Sequence, residues 1–225
     1  MKELLTNEHK LYYFAFAESN VDRKWDRVIF TDEFTFSSAN DGPILVYRPQ
    51  GGHYNLQYMS TCKRSGRVSV HCWGWISHEG AGVLHRIEGQ LDGLQYQHIL
   101  QNVMVPSVQM LYPDGIIHLQ QDHSSIHDSH VVQEWLSRQA NVEFIDWPPR
   151  APDMIPIENM WSEVKRTIQE TWLVLPPRNS DELWALVSDA WDEVASSQHY
   201  IQSLIESMTR LMKSVVEAEG FWMSY

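Results

Sequence analysis

The feature that most constrains this 225-residue chain is an aspartate set among phenylalanines. The run Trp25-Asp26-Arg27-Val28-Ile29-Phe30-Thr31-Asp32-Glu33-Phe34-Thr35-Phe36 is rich in aromatic and β-branched residues and reads as a strand. Side chains alternate faces along a strand, so Phe30, Asp32, Phe34 and Phe36 share one face while Glu33 points the other way. A carboxylate on an apolar face is costly unless its charge is compensated. A bound cation would compensate it, which makes Asp32 the better metal-ligand candidate of the two acids.

The rest of the chain supplies a frame for that strand. Asn40-Asp41-Gly42-Pro43 is a turn signal, and Ile44-Leu45-Val46-Tyr47 follows as a returning strand. Further strands are expected over 67–73, 82–87, 116–122 and 142–145, and helices over 2–20, 92–111 and 129–139. The 92–111 helix counts Leu94, Ile99, Val103 and Val108 among its apolar positions. Pro156 stands where a helix can start, and Ile157, Met160, Trp161, Val164 and Ile168 continue it as a helical stripe. After Pro176-Pro177, Ser180 is a cap for a helix carrying Leu183, Trp184, Val187, Trp191 and Val194. A last helix carries Ile201, Leu204, Ile205, Met208, Leu211 and Val215. A strand meander, then alternating helix and strand, then helices implies a mixed sheet flanked by helices. The division expected is a catalytic core over 1–172 and a C-terminal helical extension over 173–225, packed on or beside it.

Composition bounds what such a domain does. With 43% hydrophobic and 12% aromatic residues, the chain has ample material for a core. A net charge of −12 argues against coating nucleic acid by bulk attraction. It leaves room for a nuclease-type site, because clustered carboxylates bind metal ions that reverse the local sign. Cys62 and Cys72 are the two cysteines and form no C-x-x-C, so neither a disulfide framework nor a cysteine-rich zinc site is indicated. No apolar run is long enough to span a membrane, and a reducing intracellular compartment is the natural reading.

Two further acids occupy telling places. Asp122 ends the strand expected over 116–122, and the carboxyl edge of an α/β sheet is where sites are usually built. Glu158 falls in the first turn of its helix, where the positive end of the helix dipole favours an ionised carboxylate. Most of the 29 acidic residues are simply solvated surface, so each of these three draws its interest from its neighbours.

Three segments together resemble the catalytic domain of mariner-type transposases, the mariner/Sleeping Beauty superfamily. They are Val28-Ile29-Phe30-Thr31-Asp32-Glu33, Gln120-Gln121-Asp122-His123-Ser124-Ser125-Ile126-His127, and the proline-studded Asp146-Trp147-Pro148-Pro149-Arg150-Ala151-Pro152-Asp153-Met154-Ile155-Pro156-Ile157-Glu158-Asn159-Met160-Trp161. Trp73-Gly74-Trp75-Ile76 and Arg86-Ile87-Glu88-Gly89 resemble the intervening strands. The resemblance implies an RNase H-like, retroviral-integrase-like fold and a DDE centre of Asp32, Asp122 and Glu158 holding two Mg2+ or Mn2+ ions. It implies DNA strand cleavage by water, followed by strand transfer by the freed 3′-hydroxyl. The implied partners are transposon-end and target DNA, with a homodimer as one arrangement, and the implied compartment is the nucleus, although no basic import signal is evident. Three features depart from the family pattern. Thirty-five residues lie between Asp122 and Glu158, one more than is common; His123 and Ile155 each stand where asparagine is usual. The family's N-terminal helix-turn-helix region has no counterpart here.

Arg48, Lys63, Arg64, Arg67, Lys165 and Arg166 are the candidate DNA contacts, weighed against a reading as solvated basic surface. His123, His127 and His130 are close enough in sequence to raise zinc ligation, but no H-E-x-x-H accompanies them. His127 reads better as a support for the loop beyond Asp122. Trp184 and Trp191 read as core packing. Against the transposase reading stand two alternatives: a domesticated or truncated descendant acting as a nucleic-acid or protein binding module, and an RNase H-like nuclease acting on RNA.

Overall fold

A computed structural model describes residues 6–38, 68–149, 151–172 and 176–221. The turn expected over 40–43, the strand over 44–47, and Arg48, Lys63, Arg64 and Arg67 lie outside the described residues.

The sheet is built from β1 (Val28–Ser37), β2 (Ser69–Ser77), β3 (Gly80–Ala81), β4 (His85–Ile87), β5 (Ile117–Gln120) and β6 (Val142–Phe144). Its order is β3-β2-β1-β5-β6, with β4 also pairing β2. β1 runs antiparallel to β2 and parallel to β5, and β5 runs parallel to β6, so the sheet is mixed. The strand expected over 82–87 is shorter, β4 at His85–Ile87, and β3 at Gly80–Ala81 precedes it; both pair with β2.

Alternation along β1 and β2 divides the interior into two cores. Phe30 and Phe36 of β1 join Val70, Cys72 and Ile76 of β2 on one face. That face is covered by α1 (Asn7–Asn20), α5 (Pro156–Trp172), α6 (Ser180–Ser196) and α7 (Gln198–Glu217). Ile29, Trp73 and Trp75 join Leu119 on the other face, under α2 (Gly93–Ile99), α3 (Val105–Leu111) and α4 (His130–Ser137). The stripe Ile157, Met160, Trp161, Val164 and Ile168 is wholly buried, which fixes the rotation of α5 on the sheet. Trp191 is equally buried and Trp184 packs partly against the same core. Among the described helices none is long and apolar enough to cross a membrane.

Two local expectations change. The helix expected over 92–111 is interrupted by a π-turn at Leu100–Met104, ahead of Pro106, which has no N–H to continue the ordinary ladder. Leu94 is exposed rather than aligned with the apolar face, because it precedes Ile99 by five residues, about 140° around an α-helix. The cap of α6 is Asn179, whose side chain accepts from the amides of Asp181 and Glu182, and Ser180 is the first helical residue.

Candidate metal centre

The sheet register and the packing of α5 bring the three acids picked out by the sequence to one edge of the sheet. Phe30 pairs with Gln120 across the parallel β1–β5 ladder, and Thr31 Oγ1 donates to the Gln120 carbonyl at 3.0 Å. Asp32 and Asp122 each lie two residues beyond that pair, so the register carries them to the same end of the two strands. α5 packs on β1 and brings Glu158 in its first turn.

Asp32 is partly buried, and its carboxyl titrates well above the usual carboxylate range. Desolvation is the main cause, followed by the like charges of Glu158 and Glu33. Hydrogen bonds to the carboxyl from the Glu33 backbone N–H and, at 3.0 Å on Oδ2, from Trp161 Nε1 work in the opposite sense. Glu158 is raised as well, by desolvation and then by the charge of Asp122. The acids therefore burden one another electrostatically.

Asp122 is held differently. Its Oδ1 accepts from the Ser124 amide at 3.0 Å and lies 2.7 Å from His127 Nδ1. His127 is buried, and its Nε2 is 3.2 Å from Glu33 Oε1. Tyr96 lies against the imidazole with ring centroids 4.2 Å apart, and its hydroxyl donates to Gln121 Oε1 at 2.8 Å. Desolvation is the largest single influence on His127 and lowers its pKa, but its bonds to Asp122 and Glu33 together raise it to about 10. At neutral pH His127 is therefore an imidazolium bridging two carboxylates. Asp122 is also opposed by desolvation first, yet the hydrogen bond and charge of His127 pull it below its ordinary value.

His123 ties the segment after β5 to the proline-rich approach to α5. Its Nε2 lies 2.7 Å from the Trp147 carbonyl, with Asp146 and Asp128 at 3.4 and 3.6 Å. Ile155 is buried in the aromatic core just before α5. His130 is almost fully exposed beside Glu134, so the three histidines serve separate partners. Lys165 and Arg166 sit on α5 beyond the acids, with Arg166 bonded to Glu163. Among the described residues, no three histidine, cysteine or acidic side chains stand together as a ready-made metal cluster. The acids nonetheless fit a hard divalent cation: they are oxygen donors, Asp32 is desolvated among like charges, and the side-chain donor it meets, Trp161, is neutral.

Sequence reasoning missed three contributors: Glu33 as the second anchor of His127, Trp161 as a donor to Asp32, and Gly74 as the space that admits Trp161. Strand alternation already put Glu33 on the opposite face from Asp32. The sequence carries no signal for the other two beyond their membership of matched segments.

The family model described as DDE superfamily endonuclease matches residues 27–174. The Tcb1 transposable-element transposase of Caenorhabditis briggsae is 33% identical over 204 residues, covering 90% of this chain and 72% of that protein. The Tc1 transposase of Caenorhabditis elegans is 29% identical over 228 residues, covering all of this chain and 81% of that protein. Among solved structures, the Mos1 mariner paired-end complex with Mn superposes with a TM-score of 0.76 at 15% identity, over 99% of this chain and 65% of the Mos1 chain. The isolated catalytic domain of Mos1 mariner transposase gives 0.73 at 13% identity, with both chains covered completely. The chain thus has the RNase H-like fold of that domain, and spans about two thirds of the Mos1 chain in the complex.

Proposed function

Because the chain belongs to the DDE superfamily endonuclease family, we propose that it is a transposase catalytic domain that cuts DNA strands and joins them, with Asp32, Asp122 and Glu158 as the acids that hold two Mg2+ or Mn2+ ions. One observation carries the reading: three carboxylates, delivered by β1, the end of β5 and the start of α5, in which Glu158 repels Asp32, Asp122 repels Glu158, and Asp32 is desolvated and faces a neutral side-chain donor. Ions so bound supply activation of water or a 3′-hydroxyl and stabilisation of the leaving oxygen during in-line displacement at phosphorus.

The chain's own residues prepare that chemistry. Trp161 keeps Asp32 oriented without neutralising it. His127 and the Ser124 amide fix Asp122 and keep it ionised. The buried stripe of α5 holds Glu158 rigidly against β1. His123 links the Asp122 segment to the proline-rich approach to Glu158.

Transposon ends and target DNA are the proposed substrates, supported by relatives that are transposases and by a Mos1 structure that is a paired-end complex. A homodimer acting on two ends is in keeping with that pairing. The experiment is a nicking assay on labelled duplex DNA carrying transposon ends, with Mg2+ or Mn2+. Nicking that needs the divalent ion and disappears in Asp32→Asn, Asp122→Asn and Glu158→Gln is expected. Nicking that persists with chelator or in these variants contradicts the reading. A binding role without cleavage is the second reading, favoured by the departures from the family pattern at His123 and Ile155; DNA retained on the protein without any nicking decides for it.

A further inference from the structure

The surroundings of Trp161 point to a role beyond packing. Its ring packs against Phe34, with centroids 5.6 Å apart and planes at 22°, and against Trp191, 4.9 Å away at 40°. Phe36 closes the edge at 6.1 Å and 73°. Trp191 is itself pinned, donating from Nε1 to the Gly82 carbonyl at 3.1 Å. Three aromatic rings thus form a cage around the indole and restrict the direction of its N–H. That N–H reaches Asp32 Oδ2.

The cage exists because residue 74 is glycine. Gly74 pairs with Asp32 across the β1–β2 ladder. A Cβ placed there would lie 2.8 Å from Trp191 Cη2 and 3.0 Å from Trp161 Cη2. Any side chain at this position forces the two indoles to shift. Gly74 has no need of unusual backbone freedom here; what it contributes is empty volume under the rings.

We propose that Trp161 is a positioning residue for metal binding: its caged indole N–H fixes the Asp32 carboxylate through Oδ2, and Gly74 supplies the space that lets the indole lie there. A carboxylate has about four lone-pair positions, and its terminal torsion is otherwise broad. The Asp32 carboxyl also accepts from the Glu33 backbone N–H; the indole N–H adds a second neutral donor, on Oδ2, that restricts the rotation without bringing a positive charge. A lysine or arginine in its place would orient Asp32 equally well but would compete with the cation. This inference rests on the reading of Asp32 as a metal ligand, and its test separates the two.

The test is Mn2+ binding by calorimetry, with folding checked by circular dichroism. Two replacements remove the donor. Trp161→Phe loses the N–H and part of the ring. β-(3-benzothienyl)alanine at 161 keeps ring size and stacking but puts sulfur in place of the N–H. Both are expected to weaken Mn2+ binding roughly tenfold, as loss of one hydrogen bond to a charged group. Gly74→Ala is expected to weaken it in the same direction by displacing the ring. In two-dimensional NMR, the indole N–H resonance lost in Trp161→Phe is expected to move when Mg2+ is added to the wild type. Wild-type affinity in the sulfur variant overturns the proposal, even if Trp161→Phe binds weakly, because packing alone then suffices. If the wild type shows no saturable Mn2+ binding that Asp32→Asn removes, the metal-ligand reading of Asp32 fails and this proposal falls with it.

Discussion

Asp32 and Asp122 reach the same end of two neighbouring strands, yet the molecule treats them in opposite ways. Asp32 lies on the aromatic face, desolvated, burdened by Glu158 and Glu33, and met by the neutral indole of Trp161. Asp122 is half-exposed and held by an imidazolium that also grips Glu33. One carboxylate is short of positive charge and the other already has it. The difference locates the deficit of positive charge: it lies on the Asp32–Glu158 side, and that is where a divalent cation gains most. On the Asp122 side the ligand is prepared in advance, so little reorganisation remains when an ion binds.

The largest effect expected from breaking this contrast is at Asp32. Asp32→Asn is expected to reduce metal-dependent nicking by more than about a thousandfold, as removal of a central group does in catalytic units that act together. The same variant is expected to raise the melting temperature of metal-free protein, because it removes a desolvated charge repelled by two neighbours. Calorimetric melting without divalent ions checks this, and a lower melting temperature than wild type contradicts it.

The second effect is on the compensated side. His127→Gln removes a buried positive charge from between two carboxylates. A loss of about 1–3 kcal/mol is expected in urea unfolding, less than for a fully buried pair because Asp122 is half-exposed. Nicking is expected to fall less than in Asp32→Asn. If His127→Gln equals Asp32→Asn in activity, the two acids are not held in the unequal way described.

The third is a response to metal. At a tenfold excess over its dissociation constant, Mg2+ or Mn2+ is expected to stabilise the wild type by about 1.4 kcal/mol. For a chain of this size that is a rise of about 3–6 °C. The rise is expected to vanish in Asp32→Asn and to persist, reduced, in His127→Gln.

The fourth effect is the pH dependence. His127 has a folded pKa raised to about 10 from an ordinary value near 6.5. Its contribution to stability is therefore complete below about pH 6.5 and lost as pH rises towards 10. Asp32 and Glu158 are raised too, so each favours the folded state most when protonated and loses that advantage as pH climbs through its folded range. Urea midpoints measured from pH 6.5 to 10 are expected to decline in the wild type and to flatten in His127→Gln. An unchanged slope in that variant removes His127 as the cause.

Much of this arrangement was legible in the chain. The period-two pattern of β1 put Asp32 and Glu33 on opposite faces, and the stripe from Ile157 to Ile168 oriented α5 with Glu158 in its first turn. Such patterns are local and survive any context. The pairing of Asp122 with Asp32 needed the β1–β5 register, which no local period encodes. His127 lies five residues beyond Asp122, and its bridge to Glu33 crosses from one strand segment to another. Gly74 was beyond sequence reasoning, since its value lies in what Trp161 and Trp191 do above it. The π-turn before Pro106 was likewise hidden, because Pro106 alone permits a kink, a break or a wider turn.

The most direct measurement is a calorimetric titration of Mn2+ into the wild-type chain and into Asp32→Asn, Asp122→Asn and Glu158→Gln. Saturable binding by the wild type is expected, abolished by Asp32→Asn and weakened by each of the other two. Binding isotherms indistinguishable across the four proteins would contradict the assignment of these three acids as a metal centre.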